Sequence, residues 1–96
     1  MRIEHNCLWN EIDIYNIIED EKIVGSMEMI EDRDHTFLEN IYLDKEYRGR
    51  GFLRESLKQF TKPIICLPLS QHRDKFRHLG FIEYKTEGPD VYYIRK

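Results

Sequence analysis

The most informative part of the sequence is residues 43–57, which read Leu43-Asp-Lys-Glu-Tyr-Arg-Gly-Arg-Gly-Phe-Leu-Arg-Glu-Ser-Leu57. This pattern predicts the end of a strand, a loop with two glycines and the start of a helix. Gly49 and Gly51 lack the Cβ atoms that would hold a ligand away from the backbone, and the start of a helix attracts anions. Arg48 and Arg50 add mobile positive charge that suits a pyrophosphate. The stretch therefore predicts a phosphate-binding loop, with an ordinary helix start and solvated arginines as the alternative.

The length and composition of the chain restrict its class. Its 96 residues suffice for one compact domain over residues 1–96 and not for two, and 41% hydrophobic with 34% charged residues is typical of a globular chain. A net charge of −3 argues against a general nucleic-acid surface. Cys7 and Cys66 lack the spacing of a disulfide framework, and no apolar run approaches the roughly 20 residues that cross a bilayer. We therefore expect a cytoplasmic protein with neither a nucleic-acid nor a membrane partner.

Strands dominate the sequence before the loop. β-Branched and aromatic residues predict strands over residues 11–18, 23–30 and 36–43, the first two joined as a hairpin through a polar turn. Residues 2–9 alternate weakly and fit either a first strand or an irregular arm. Strict alternation predicts which side chains share a face within a strand. In the strand over residues 23–30 these are Ile23, Gly25, Met27 and Met29. In the strand over residues 36–43 they are Phe37, Glu39, Ile41 and Leu43.

Helices and strands alternate after the loop. Apolar residues at helical spacing predict a helix over about residues 50–61, which Lys62-Pro63 ends, and a second helix over residues 71–79, which Gly80 ends. Short strands are predicted at residues 64–67, 81–85 and 91–95. The order is β-β-β-α-β-α-β-β, with one more strand in front if residues 2–9 form one. It predicts an α+β fold, a mixed and mostly antiparallel sheet with two packed helices and a ligand site at a strand end.

Two motifs resemble those of a known family. The run from Leu43 to Phe52 resembles the acetyl-CoA-binding signature of the GCN5-related N-acetyltransferases (GNAT), which reads (Gln/Arg)-x-x-Gly-x-(Gly/Ala) after the fourth strand. Arg48 stands at the first position of this signature and Gly51 at the fourth. Further on, Phe76-Arg-His-Leu-Gly-Phe81 resembles the family's Tyr-x-x-Leu-Gly-Phe segment. The two motifs are joined by the expected helix and strand, and the resemblance covers about residues 11–96.

The resemblance implies a binding site for acetyl-CoA, used as a cosubstrate without a metal, between splayed fourth and fifth strands. Backbone groups of the fourth strand would pair with the pantetheine arm of the cosubstrate, and the amides of the glycine loop would hold its pyrophosphate. The implied residues are Ile41, Tyr42 and Leu43 on the strand, Arg48, Gly49, Arg50, Gly51, Phe52 and Leu53 in and after the loop, and Phe76 on the second helix.

The activity that the resemblance implies is N-acetylation of a primary amine, which attacks the thioester directly. Such a reaction needs a base for the amine, and Glu39 is the candidate because the predicted alternation places it on the face of Ile41 and Leu43. The alternative is a solvated or ion-paired carboxylate at the strand entrance.

The sequence also departs from the family pattern. Phe76 stands where many members have a proton-donating tyrosine, and Leu53 stands where Gly or Ala is usual. Ser70 or His72 could replace the tyrosine as proton donor. The two helices that usually follow the first strand have no room here, which leaves an open acceptor site. An open site suits an amine on a protein or another macromolecule, or a wall supplied by a second subunit of a homodimer. The alternative function is a catalytically inactive binding or inhibitory module.

Other groups of reactive residues favour simpler roles. The four histidines and two cysteines lack metal-site spacing. Ser70, His72 and Asp74 contain the elements of a hydrolytic triad, but Ser70 is better explained as the N-cap of a helix. Cys66 lies in an apolar run and is expected to be a core residue rather than a group that acts at the thioester.

Overall fold

A seven-stranded sheet forms the frame of the computed structural model, which describes residues 1–96. Its strands are β1 Arg2–Trp9, β2 Ile12–Glu19, β3 Lys22–Glu31, β4 Thr36–Leu43, β5 Ile64–Cys66, β6 Ile82–Glu87 and β7 Asp90–Arg95, and its helices are α1 Phe52–Leu57 and α2 Arg73–His78. The strands lie in the order β1-β2-β3-β4-β5-β7-β6, and only β4 and β5 are parallel. The predicted α+β fold is confirmed, and residues 2–9 form a strand.

Two tight turns build the first three strands into a meander. Asn10 and Glu11 join β1 to β2 with φ angles of 50° and 67°, and Asp20 and Glu21 join β2 to β3 with φ angles of 52° and 62°. Two consecutive residues with positive φ are typical of the type I′ turn, whose twist matches that of the strands it joins. The long antiparallel β2–β3 pair then supports β4.

A β-bulge in β3 overturns one predicted strand face. Ile17 of β2 pairs with Gly25 and Ile18 pairs with Ile23, so that Val24 is the extra residue. Val24 is buried, whereas Ile23 is 62% exposed. An extra residue moves every later side chain to the opposite face. The prediction that Ile23 shares a face with Gly25, Met27 and Met29 is therefore wrong.

A second bulge lies in β4 and concerns Glu39 directly. Met29 of β3 pairs with Leu38 and Glu28 pairs with Asn40, which leaves Glu39 as the extra residue. Leu38 and Leu43 are both buried, although strict alternation would place them on opposite faces. The predicted common face of Phe37, Glu39, Ile41 and Leu43 is therefore wrong, and Glu39 is exposed at the bulge.

Both helices cover the same face of the sheet. Leu57 of α1 and Phe76 and Leu79 of the α2 region pack against one core, and the Arg54 guanidinium donates a hydrogen bond to the carbonyl of His78 between the helices. Helix α1 is shorter than the predicted residues 50–61, because tight turns follow Leu57. Neither helix is long and apolar enough to cross a membrane.

The opposite face of strands β1 to β4 carries no helix. Register places Trp9, Ile23 and Tyr42 on this face, through their pairing with Ile12, Ile18 and Ser26. Trp9 is 63% exposed and Tyr42 is 50% exposed. We call this surface the uncovered face.

Candidate active site

The candidate site lies where β4 and β5 separate. The two strands pair only from Thr36 to Leu38 and from Ile64 to Cys66. Beyond this point β4 continues to Leu43, while the chain after Cys66 leaves the sheet. The result is a wedge-shaped opening between two parallel strands, which we call the cleft. Its position agrees with the splayed fourth and fifth strands that the sequence resemblance implied.

The wide end of the cleft holds a cavity of about 460 Å³, which we call the loop cavity. One wall is the loop after β4 with the start of α1, and the other wall is the end of α2. Its lining comprises Leu43, Arg48, Gly49, Gly51, Phe52, Leu53, Arg54, Lys75, His78 and Leu79. Six of these residues were predicted as cofactor-binding from the sequence.

The loop presents a run of unused hydrogen-bond donors. No backbone amide from residue 49 to residue 54 donates a hydrogen bond within the chain, and the first amide of α1 that does so is that of Glu55, to the Gly51 carbonyl. Gly49 and Gly51 have φ angles of +78° and +80°, and no atom lies within 4 Å of the point where a Cβ would stand on either. Successive free amides beside open space are a typical anion-binding arrangement.

The charge of the loop cavity agrees with an anionic ligand. Its ionisable lining residues are Arg48, Arg54, Lys75 and His78, and no Asp or Glu lines it. The predicted contact Arg50 lies outside this lining, because its guanidinium stacks over the ring of Tyr47 at 5.3 Å. A locally positive cavity thus exists on a chain whose net charge is −3.

The free edge of β4 carries backbone groups that face the cleft. The Ile41 amide donates to Asn40 Oδ1 (3.0 Å), and the Leu43 carbonyl accepts from Arg48 Nε (2.8 Å). The carbonyl of Tyr42 points the other way, towards Gly25 of β3. Since backbone groups alternate in direction along a strand, Ile41 and Leu43 present theirs to the cleft and Tyr42 does not. Side chains already bond to both groups. A ligand must displace Asn40 to accept from the Ile41 amide, whereas the Leu43 carbonyl has a second lone pair and can accept from a ligand while Arg48 stays bound.

The narrow end of the cleft holds a second cavity, of about 400 Å³, which we call the bulge cavity. It is lined by Leu38, Glu39, Asn40, Ile41, Cys66, Leu67, Pro68, Leu69, His72, Lys75 and Phe76. Glu39 supplies the one carboxylate among these residues. Glu39 thus lines the cavity from the bulge in β4, although the strand alternation from which it was selected does not hold.

The α2 side of the bulge cavity carries the other polar candidates. His72 lines the cavity, whereas Ser70 does not. Ser70 lies in a 3-10 turn and makes no capping hydrogen bond, so the prediction that it caps the helix is wrong. Asp74 pairs with Arg77 instead of His72, and no hydrolytic triad forms. Phe76 packs edge-on against Phe81 at 5.5 Å and has no proton to give.

Cys66 lines the bulge cavity as a core residue. Its side chain is 2% exposed, and burial raises the pKa of its thiol from 9.0 to about 12. A thiol with this pKa stays protonated at neutral pH and is a poor nucleophile. The interpretation of Cys66 as a core residue agrees with this environment. No group of three His, Cys, Asp or Glu side chains lies in a metal-binding arrangement.

Sequence reasoning missed the contribution of α2 to the loop cavity, and it missed Lys75 in both cavities. Lys75, His78 and Leu79 line the loop cavity, and Lys75 also lines the bulge cavity. A signal for them existed, because His72, Lys75, Phe76 and Leu79 follow the i, i+3, i+4, i+7 spacing of one helix face. Phe76 and His72 were named as candidates from the sequence, whereas Lys75, His78 and Leu79 were not.

Known structures share this fold. The PaiA N-acetyltransferase of Thermoplasma acidophilum in complex with coenzyme A has a TM-score of 0.71 and 20% identity, over 90% of this chain and 61% of that chain. For Tetrahymena GCN5 the TM-score is 0.73 and the identity 9%, over 90% and 68% of the two chains. For the YlbP N-acetyltransferase of Bacillus subtilis in complex with coenzyme A the values are 0.66 and 21%, over 84% and 65%.

These structures are longer than the chain described. The chain described here covers less than two thirds of the PaiA and YlbP chains. No curated protein sequence matches the chain. The acetyltransferase (GNAT) family model matches residues 2–62, which include strands β1 to β4, the glycine loop and α1. Since the match covers more than half of the sequence, the chain belongs to the acetyltransferase (GNAT) family.

Proposed function

We propose that this protein is an acetyl-CoA-dependent N-acetyltransferase that moves an acetyl group to a primary amine by direct attack. The observation that carries the proposal is the run of free amides from residue 49 to residue 54, beside the positively charged loop cavity and at one end of the cleft. These amides and the cationic lining fit the pyrophosphate of coenzyme A. Two of the similar structures contain coenzyme A, which supports the same ligand here.

In this proposal the loop cavity binds the cosubstrate and the bulge cavity holds the reacting amine. Acetyl-CoA supplies the acetyl group as a thioester. The loop cavity would hold its phosphates, and the cleft edge of β4 would orient its pantetheine arm through the Ile41 amide and the Leu43 carbonyl. Glu39 would accept a proton from the attacking amine in the bulge cavity, directly or through water.

The acceptor is proposed to be an amine on a protein or another macromolecule. The support is the uncovered face, where no helix of the chain covers β4 on the side opposite α1 and α2. Exposed strand edges and the uncovered face also favour a homodimer in which a second subunit supplies this wall. Both cysteines are free and Cys7 is exposed, which favours the cytoplasm.

The experiment is a calorimetric titration of acetyl-CoA into the protein and two glutamate variants. Gly51→Glu places an anion against the free amides and should abolish micromolar binding. Gly88→Glu is the matched control, because Gly88 also has a positive φ and open space at its Cβ position but lies in the β6–β7 turn. The backbone strain is similar in both variants. A loss of acetyl-CoA binding in Gly51→Glu but not in Gly88→Glu would therefore indicate that acetyl-CoA binds at the glycine loop. Absence of binding to the unmodified protein at millimolar acetyl-CoA would contradict the proposal.

A second function, an inactive binding module, is favoured by one observation. Phe76 stands at the position of the family's tyrosine and packs against Phe81, so it donates no proton. The two functions differ in a single assay, release of free coenzyme A in the presence of amine-bearing acceptors. Under the proposed function, Glu39→Gln should lower this release at least tenfold while leaving the affinity for acetyl-CoA within about twofold.

A further inference from the structure

Lys75 occupies a particular place in the cleft. It is the one residue that lines both the loop cavity and the bulge cavity. Under the proposed function, phosphates lie in the loop cavity and the acceptor amine enters the bulge cavity. The thioester must therefore lie between the two, at the level of Lys75.

The Lys75 side chain is free to act there. Lys58, Lys62 and Lys85 are paired with carboxylates, whereas Lys75 is in no ion pair and makes no side-chain hydrogen bond. Its neighbour Phe76 occupies the family's tyrosine position and holds α2 on the core. Lys75 thus precedes the family's tyrosine position by one residue in the sequence.

The other candidate donors are less well placed. His72 lines only the bulge cavity, and Ser70 lines neither cavity. Cys66 lines only the bulge cavity, and burial raises the pKa of its thiol to about 12. Of the proton-bearing side chains on α2, only Lys75 reaches the junction of the two cavities.

We propose that the ammonium group of Lys75 is the proton donor to the sulfur of coenzyme A, a role that Phe76 cannot perform. This inference rests on the proposed function. The amine nitrogen forms a bond to the acetyl carbon, and the carbon–sulfur bond breaks with its electron pair left on sulfur. Lys75 gives that sulfur a proton and regains one from solvent, while the proton of the amine goes to Glu39. An ammonium group beside the sulfur also stabilises the thiolate as it leaves.

The charged groups around Lys75 set the background for this role. Glu39 faces it from β4, Arg48 from the loop, Arg54 from α1, and His72 and His78 from its own helix region. Under the proposed function, Arg48 and Arg54 bind the phosphates at the loop end of the cleft. Lys75 also lines the bulge cavity, at the acyl end, whereas Arg48 and Arg54 line only the loop cavity.

The test measures the pKa of the thiol of bound coenzyme A, from thiolate absorbance in a pH titration, and needs no acceptor. In the unmodified protein the bound thiol should have a pKa about one unit below that of free coenzyme A, because a cation lies beside it. Lys75→Met should remove this shift and Lys75→Arg should keep it. Lys58→Met is the control, because it removes an ion-paired lysine on the α1 side and should leave the shift unchanged.

Two results would overturn the inference. One is a Lys75→Met variant that binds coenzyme A and shows the same thiol pKa as the unmodified protein. The other is a loss of affinity in Lys75→Met that is equal for coenzyme A and for its desulfo analogue, because that loss places Lys75 against the phosphates. Failure of the unmodified protein to bind coenzyme A appears before any lysine is changed, and it refutes the proposed function itself.

Discussion

At the scale of single residues, the two cysteines show how environment sets chemistry. Cys7 is exposed on the edge strand β1, whereas Cys66 is buried in β5 between β4 and β7. Burial raises the pKa of the Cys66 thiol from 9.0 to about 12 because the core disfavours the thiolate. The two thiols therefore differ in reactivity although neither is in a disulfide.

We expect iodoacetamide at pH 8 to alkylate Cys7 and to leave Cys66 unmodified until the chain unfolds, as mass spectrometry can show. Between pH 9.0 and about 12 the unfolded chain loses the Cys66 proton while the folded chain keeps it. The free energy of unfolding should therefore fall as the pH rises through this range, and less so in Cys66→Ala. Equal alkylation rates of Cys7 and Cys66 in the folded protein would contradict the burial argument.

At the scale of elements, the type I′ turns carry an identifiable strain. Glu11 has a φ of 67° between β1 and β2 and takes part in none of the chain's ion pairs. Left-handed backbone costs a residue with a Cβ about 1–2 kcal/mol and costs glycine almost nothing. Asn-Gly is also the preferred sequence of this turn.

Glu11→Gly should therefore raise the free energy of unfolding by about 0.5–1 kcal/mol, after allowing for the greater freedom of glycine in the unfolded chain. Urea denaturation measures the change. Glu83→Gly is the control, because Glu83 is exposed in strand β6 with an ordinary φ and should lose stability on the same substitution. A lower stability for Glu11→Gly would mean that the turn is not strained at this residue.

At the scale of the whole molecule, the helices leave one sheet face unprotected. Trp9, Ile23 and Tyr42 are each at least half exposed on the uncovered face, and every residue of the edge strand β6 is exposed. Exposed apolar faces and unpaired strand edges are typical association surfaces. They are the basis for the proposed homodimer.

We expect sedimentation velocity to show a dimer at micromolar concentration and the fluorescence of Trp9 to shift to shorter wavelength as the dimer forms. Ile23→Lys should abolish both effects, because it places a charge on the uncovered face. Leu8→Lys is the control, because Leu8 is 65% exposed but its pairing with Asp13 places it on the helix-bearing side of β1. A monomer at all concentrations would refute the homodimer and leave the acceptor site open to solvent.

The wrong predictions have a common cause. Both bulges arise from pairing with a neighbouring strand. Gly25 beside Val24 was a signal for the bulge in β3, since a glycine inside a strand often marks a bulge, but the residues around Glu39 include no glycine. Glu39 was selected on the strict alternation of β4, yet it reaches the bulge cavity because the alternation fails. Lys75 was not among the predicted site residues, because its position in the cleft depends on α2 lying beside the loop after β4.

The order of the elements and the position of the glycine loop could be predicted from the sequence. These properties depend on local signals: β-branched runs for strands, Pro63 and Gly80 as helix ends, and Gly49 and Gly51 where the backbone takes a positive φ. Only the tertiary structure decided which residues share the cleft, because strand register and helix position result from contacts between residues far apart in the chain. The separation of β4 from β5, the presence of Glu39 in the lining of the bulge cavity and the presence of Lys75 in the lining of both cavities are all properties of that kind.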